Sequence, residues 1–246
     1  MEAAAPARAR IEDAKRWLGG GALVLAPLCN WTAALLEPRS TQTTGAEVLA
    51  VVASHSGRLL ASAMLDTVGT VLFVPAVLAM LHLLAPRSFK LALAGGALAI
   101  TGLFGFMAVH AVDMTLVEYV KGGADAGEMA ALYDRVQENA GIAMVTAMFL
   151  VGQVFGFLLL SVGLFVTASV PRWLPPFTWA FLAWDVGLGI AGIDPQVAGA
   201  IDPHMLGFIG SAALGLLVLR QDPAAWRRAD PVGLATLSPG PAPSSA

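Results

Sequence analysis

Residues 141–168 read GIAMVTAMFLVGQVFGFLLLSVGLFVTA, a stretch without Asp, Glu, Lys or Arg. It exceeds the ~20 residues that a helix needs to cross ~30 Å of hydrocarbon. Lipid offers no partner to an unpaired backbone N–H or C=O, so a segment of this kind is stable there only as a helix. The pattern recurs on both sides. Apolar stretches run over Trp17–Leu36, Leu59–Leu84 and Leu91–Val112 before it, and over Trp173–Ile193 and His204–Leu219 after it. The expected fold is an all-α, polytopic transmembrane helix bundle of about six spans, the sixth being the shortest. Pro27 and Pro75 lie inside two spans and are expected to kink them.

Composition agrees. Apolar residues make up 57% of the 246 and charged residues 13%, against about 25% charged in a soluble domain. The net charge is −3 and the basic residues are scattered, which excludes the basic stripe of a nucleic-acid binder. A single cysteine, Cys29, excludes an intrachain disulfide framework and a cysteine metal cage. The basic N-terminus followed by an apolar run resembles a secretory signal. That run, however, reaches Leu36 without a small-x-small site, so it is read as a retained span.

Orientation follows from Lys and Arg in the connections. Arg8, Arg10, Lys15, Arg16, Arg87, Lys90, Arg172, Arg220, Arg227 and Arg228 fall on one side; Arg39, Arg58, Lys121 and Arg135 fall on the other. The bias places both termini in the cytoplasm. The chain then divides into a basic cytoplasmic segment (1–16), the bundle (17–220) and a cytoplasmic tail (221–246). The tail is Pro/Ser/Ala/Gly-rich after Arg228 and is expected to be largely disordered. The localisation implied is the cell membrane. On the outer side, Val48, Leu49, Val51 and Val52 are expected to lie on the membrane surface. A short amphipathic helix is expected after Asp125, its cap, with Glu128 in the capping-box position; Met129, Leu132, Tyr133 and Val136 share its apolar face.

Small residues let membrane helices approach closely. Gly152-x-x-x-Gly156, Gly95-Gly96, Gly187-x-Gly189 and Gly207-x-x-Gly210 are expected to pack within the monomer, with a homo-oligomer face as the alternative.

The chemically informative residues are polar groups inside spans, which are costly and usually face an interior or cavity. Asp66 and Asp185 qualify first. From the helical rise, Asp66, Asp185 and Asn30 each stand roughly 9–12 Å below the outer end of their spans. Trp31 and Trp184 share that layer, and Gln153 lies deeper. His110 and Asp113 stand one turn apart at the outer end of the third span, and His204 begins the sixth. The expected site is an outward-opening pocket. Asn30, Asp66 and Asp185 form its floor, Trp31 and Trp184 its walls, and His110, Asp113 and His204 its mouth. Asp66 and Asp185 are the candidate acids; the other residues, with Gln153, are candidate ligand contacts. Imidazole and carboxylate suit zinc, but no His-Glu-x-x-His run occurs. Haem lacks a facing histidine pair and retinal lacks a lysine within a span, so neither metal nor cofactor is expected.

Residues Ser161 to Leu174 read SVGLFVTASVPRWL: a span, a short turn, then Val-Pro-Arg-Trp-Leu. This resembles the centre of a family of six-helix integral membrane proteins found in bacteria, actinobacteria above all. The resemblance implies the six-span fold and transfers no functional residue.

Three functions fit these features: a binding, sensory or accessory protein that engages the bilayer and a small apolar or amphiphilic molecule or partner; a membrane-embedded enzyme on a terpenoid-like substrate, with Asp as general acid and Trp faces stabilising a cation; or a proton-coupled carrier. Topology is checked directly. A reporter fused after Asp222 is expected to be active only on the cytoplasmic side, and labelling of that site by an impermeant reagent from outside reverses the assignment.

Overall fold

The computed structural model describes residues 4–38, 44–123, 125–191 and 202–228. Among these, helices follow one another without a strand: α1 Ala4–Leu36, α2 Gly45–Leu84, α3 Phe89–Lys121, α4 Ala126–Gln137, α5 Ala140–Val166, α6 Pro175–Ala191, α7 Pro203–Arg220 and α8 Pro223–Arg228. Five segments are long and apolar enough to cross a membrane: Ala9–Leu36, Gly45–Leu84, Phe89–Lys121, Ala140–Val166 and Pro203–Arg220. Helix α6, with 17 described residues, is slightly shorter.

The long helices form a closed ring in the order α1, α2, α3, α5, α6, α7 and back to α1, with α2 also touching α5 across the middle. Neighbours in the ring run antiparallel. Gly19 of α1 sits on Ala79 and Pro75 of α2, while Gly69 of α2 sits on Ala26 and Cys29. Gly20 of α1 faces Gly215 and Leu219 of α7, while Trp31 stacks on Phe208. The amino end of α1 and the carboxyl end of α7 therefore share one end of the bundle, the terminal end; α4 marks the other.

Glycines set the closest approaches. A Cβ on Gly102 would stand 2.2 Å from the Gln153 backbone nitrogen, one on Gly152 2.5 Å from the Gly102 nitrogen, and one on Gly156 2.3 Å from that of Ala99. Helices α3 and α5 thus meet backbone to backbone, and the Gly152-x-x-x-Gly156 face is occupied within the monomer. Gly95 packs on Leu160, Gly96 on Leu81, Gly207 on Phe181 and Gly210 on Phe177. Gly187 has no such neighbour. Gly189 lies outside the residues whose side-chain surroundings are described.

The ends differ from the sequence reading. Helix α1 starts at Ala4, so the basic segment ahead of the first span is helical from there. Glu12 and Arg16 are buried. The Arg16 guanidinium donates to the Leu219 and Gln221 carbonyls at 2.7 and 2.9 Å, neutralising the carboxyl end of α7. Helix α8 docks on α1, and Trp226 is 1% exposed. His82 stacks on the Trp226 ring, centroids 3.8 Å apart, with its Nε2 2.9 Å from the Trp226 carbonyl. The tail is therefore anchored as far as Arg228; residues 229–246, where disorder is expected, lie outside the described part. Trp17 and Trp173 are exposed at this end, as interfacial aromatics are.

At the opposite end, residues 45–58 are helical and bend into the span at His55, whose φ of −129° and ψ of 22° break the helix. The expectation that Val48–Val52 lies on the membrane is corrected here: Leu49 and Val52 are 5% and 3% exposed. The segment turns its apolar face inward because it packs against α4, where the Gly45 N–H donates to Asp134 at 2.8 Å. Asp125 caps α4 as expected, accepting from the Gly127 and Glu128 N–H groups at 3.0 and 2.9 Å.

Gly152→Val is expected to lower stability by about 1–3 kcal/mol, the cost of overpacking a filled contact. Gly187→Val is expected to be near neutral. Thermal unfolding of the two variants in detergent compares them; equal melting temperatures would remove the α3–α5 contact as a determinant.

Candidate functional site: a polar layer beside an interior cleft

Three helices bring one polar chain together. Gly69 lets α1 and α2 approach, and one turn toward the α4 end the Asn30 amide donates to Asp66 Oδ1 at 2.7 Å. One further turn along, Ser62 donates to the Ala33 carbonyl at 2.9 Å. From α3, His110 Nε2 approaches Asp66 Oδ2 at 3.5 Å, and its Nδ1 lies 3.4 Å from Asp113 Oδ2. Exposure rises along the chain: the side chains of Asp66, His110 and Asp113 are 8%, 15% and 36% exposed. Asp66 thus connects an interior amide to the bundle surface through one imidazole. Phe106 packs edge-on against His110, centroids 4.3 Å apart, and fixes the ring.

A second pair stands on α7. Asp202 caps the helix by accepting from the His204 N–H at 2.9 Å, and His204 Nδ1 lies 3.0 Å from the same carboxylate oxygen. Neither Asp66 on α2 nor Asp185 on α6 lines the interior cleft. The floor that the two acids were expected to share is corrected here: a common depth does not set the direction in which each helix turns its side chain.

Beside this layer lies a cleft of about 60 Å³ between α1, α2, α5, α6 and α7. Asn30 and His204 line its upper part, and Gln153, Ser161, Thr178 and Ser211 add polar groups below. The Gln153 side-chain oxygen is buried and makes no hydrogen bond within the protein. Phe73, Phe157, Phe181 and Phe208 supply aromatic surface. Ser161 is held by the Trp179 indole N–H at 2.9 Å.

Of the residues chosen from sequence, Asn30, Gln153 and His204 line the cleft. Asp66, His110 and Asp113 form the chain behind Asn30. Trp31 backs the cleft indirectly by stacking on Phe208 at 5.5 Å. Trp184 does not serve as a wall: it is 45% exposed on the bundle surface. A helix turns 100° per residue, so Asp185 and its sequence neighbour face different ways. The four phenylalanines and Asp202 went unselected. Phenylalanines at helical spacing are ordinary core, though Phe208 and Phe181 lie four residues from His204 and Asp185, a spacing that shares a helix face. Among the described residues no group of three His, Cys, Asp or Glu side chains is arranged to hold a metal ion.

Comparison with known proteins gives no match to a family model, a curated protein or a solved structure.

Asp66→Ala leaves the Asn30 amide and His110 without their partner and is expected to cost about 1–3 kcal/mol, the penalty for orphaned buried polar groups. Asp66→Asn, which retains an acceptor, is expected to cost less. Melting curves of the pair decide; an Ala variant as stable as wild type would show that the Asn30–Asp66 bond does not hold α1 to α2.

Proposed function

We propose that the chain is a six-span protein of the cell membrane with both termini cytoplasmic, and that its outward-facing polar layer binds a small organic cation with an apolar body. Helix α6 supplies the sixth span by closing the ring between α5 and α7. The described Lys and Arg residues support the orientation: Lys15, Arg16, Arg87, Lys90, Arg172, Arg220 and Arg227 stand toward the terminal end, and Arg58, Lys121 and Arg135 toward the other.

The observation that carries the binding reading is the junction of the Asn30–Asp66–His110–Asp113 chain with the aromatic cleft at Asn30 and His204. Four carboxylates, Asp66, Asp113, Asp185 and Asp202, surround two imidazoles there, and Glu37 adds its charge toward His110. Arg58, Lys121 and Arg135 lie farther out along their helices. The layer therefore favours positive charge. Below it, phenylalanine faces attract a cation through their quadrupoles, and Gln153, whose side-chain oxygen makes no hydrogen bond within the protein, adds an acceptor to the lining.

The cleft, about 60 Å³, is smaller than the ~150 Å³ cavity that admits benzene, so the fitting probe is a cation smaller than benzene, methylammonium. Methylammonium is expected to bind the purified full chain, and Asp66→Asn to weaken binding at least tenfold. Isothermal titration in detergent measures both. A variant that binds as wild type would dismiss Asp66 as the counter-charge, and absence of binding to wild type would dismiss the reading.

A further inference from the structure

The cleft does not end in solid core. Its lower lining includes Met80, Leu164, Val170, Leu174 and Leu214. A second cavity, about 320 Å³, opens at the terminal end among Leu83, Ser169, Pro171, Leu217, Val218 and Gln221, and Val170 and Leu214 line it too. Two side chains thus stand between an interior cleft that begins in the polar layer and a vestibule on the opposite end of the bundle. Helix α7 supplies Leu214, 6% exposed. The turn between α5 and α6 supplies Val170.

That turn is separately built. Ala168 adopts a φ of +49°, the Ser169 N–H donates to the Leu164 carbonyl at 3.1 Å, and the Leu174 N–H donates to that of Pro171 at 3.0 Å. Val170 itself belongs to no helix, so it can be displaced without breaking a helical hydrogen-bond ladder. On the cleft side of Leu214, Gly207 and Gly210 of α7 seat Phe181 and Phe177 of α6.

We propose that the cleft and vestibule are two parts of one path through the bundle, closed in this structure by Val170 and Leu214, and that the protein conducts the small organic cation from the polar layer to the terminal side. The inference rests on the binding reading above and adds passage to it. The layer of carboxylates draws the cation in, the phenylalanine faces carry it through the apolar interior in place of water, and the valine–leucine constriction sets the rate. At the far end Arg220 borders the vestibule, and its charge keeps a cation from resting there.

The test uses full-length protein in liposomes loaded with radiolabelled methylammonium, with efflux compared with protein-free liposomes and binding titrated on the same preparations. Wild type is expected to release the label faster than protein-free vesicles. Val170→Ala is expected to raise the rate several-fold. Val170→Trp is expected to abolish release. Leu217→Trp, which narrows the vestibule and lies outside the cleft lining, is the second variant and is expected to slow release while binding is retained. Val170 is half-buried in a turn, and helix content by circular dichroism with a monodisperse elution profile shows that each variant folds. Binding without release in wild type, or release unaltered by Val170→Trp, overturns the passage and leaves the binding site standing. Loss of both binding and release overturns the binding reading and the passage together.

Discussion

Inside a bilayer, burying leucine against leucine gains little, because the lipid is as apolar as the partner helix. What holds this bundle is close approach, which only small residues permit. The α3–α5 crossing shows it best: Gly102, Gly105, Gly152 and Gly156 bring two backbones to a separation that no Cβ would allow. From that crossing the register of the ring follows. Helix α2 lies on α3 through Gly96 and Leu81, α1 on α2 through Gly19 and Gly69, and α7 on α1 through Gly20 and Gly215. Each contact fixes a depth, and the polar residues are carried to their positions by these depths.

The costly residues are handled in a consistent way. Asp66 has a hydrogen-bonded amide and an imidazole beside it, and the imidazole has a carboxylate in turn. His204 is likewise paired with the Asp202 carboxylate. Buried charge without such company would cost several kcal/mol. At the other end Arg16 meets the carbonyls that close α7, and Trp226 seals the face beneath His82. The two ends are thus finished differently: a graded, acidic polar layer at one, a basic and aromatic closure at the other. Both proposals draw on that asymmetry. The acidic layer selects charge and the aromatic interior tolerates it, while the basic end offers a cation no resting place.

Much of this was legible in the residues, and the limits have physical causes. Absence of charge over residues 141–168 gave a span without reference to any neighbour. The shared depth of Asn30 and Asp66 came from helical rise alone, and their hydrogen bond agrees with it. Depth says nothing of azimuth, however, and so Trp184 was assigned to a wall when it faces outward. Residues 48–52 were assigned to the membrane surface because an apolar stretch outside a span has no partner in one dimension. The partner, α4, lies some eighty residues away in the chain. Helix α8 was similarly invisible, since a single Trp in a polar tail marks an interface as readily as a docked helix.

By itself, then, the sequence determined the helical content, the helices long and apolar enough to cross a membrane, and the level of each costly group along its helix. These are set by local properties: the length of an apolar run and the rise of a helix. Only the tertiary structure decided which face of each helix turns inward and which glycines meet. It also decided that Asp66 joins His110 while Asp185 stays off the cleft lining, and that Val170 and Leu214 border two cavities. Those facts depend on rotation about each helix axis, and rotation is fixed by the backbone contacts between helices distant in the chain.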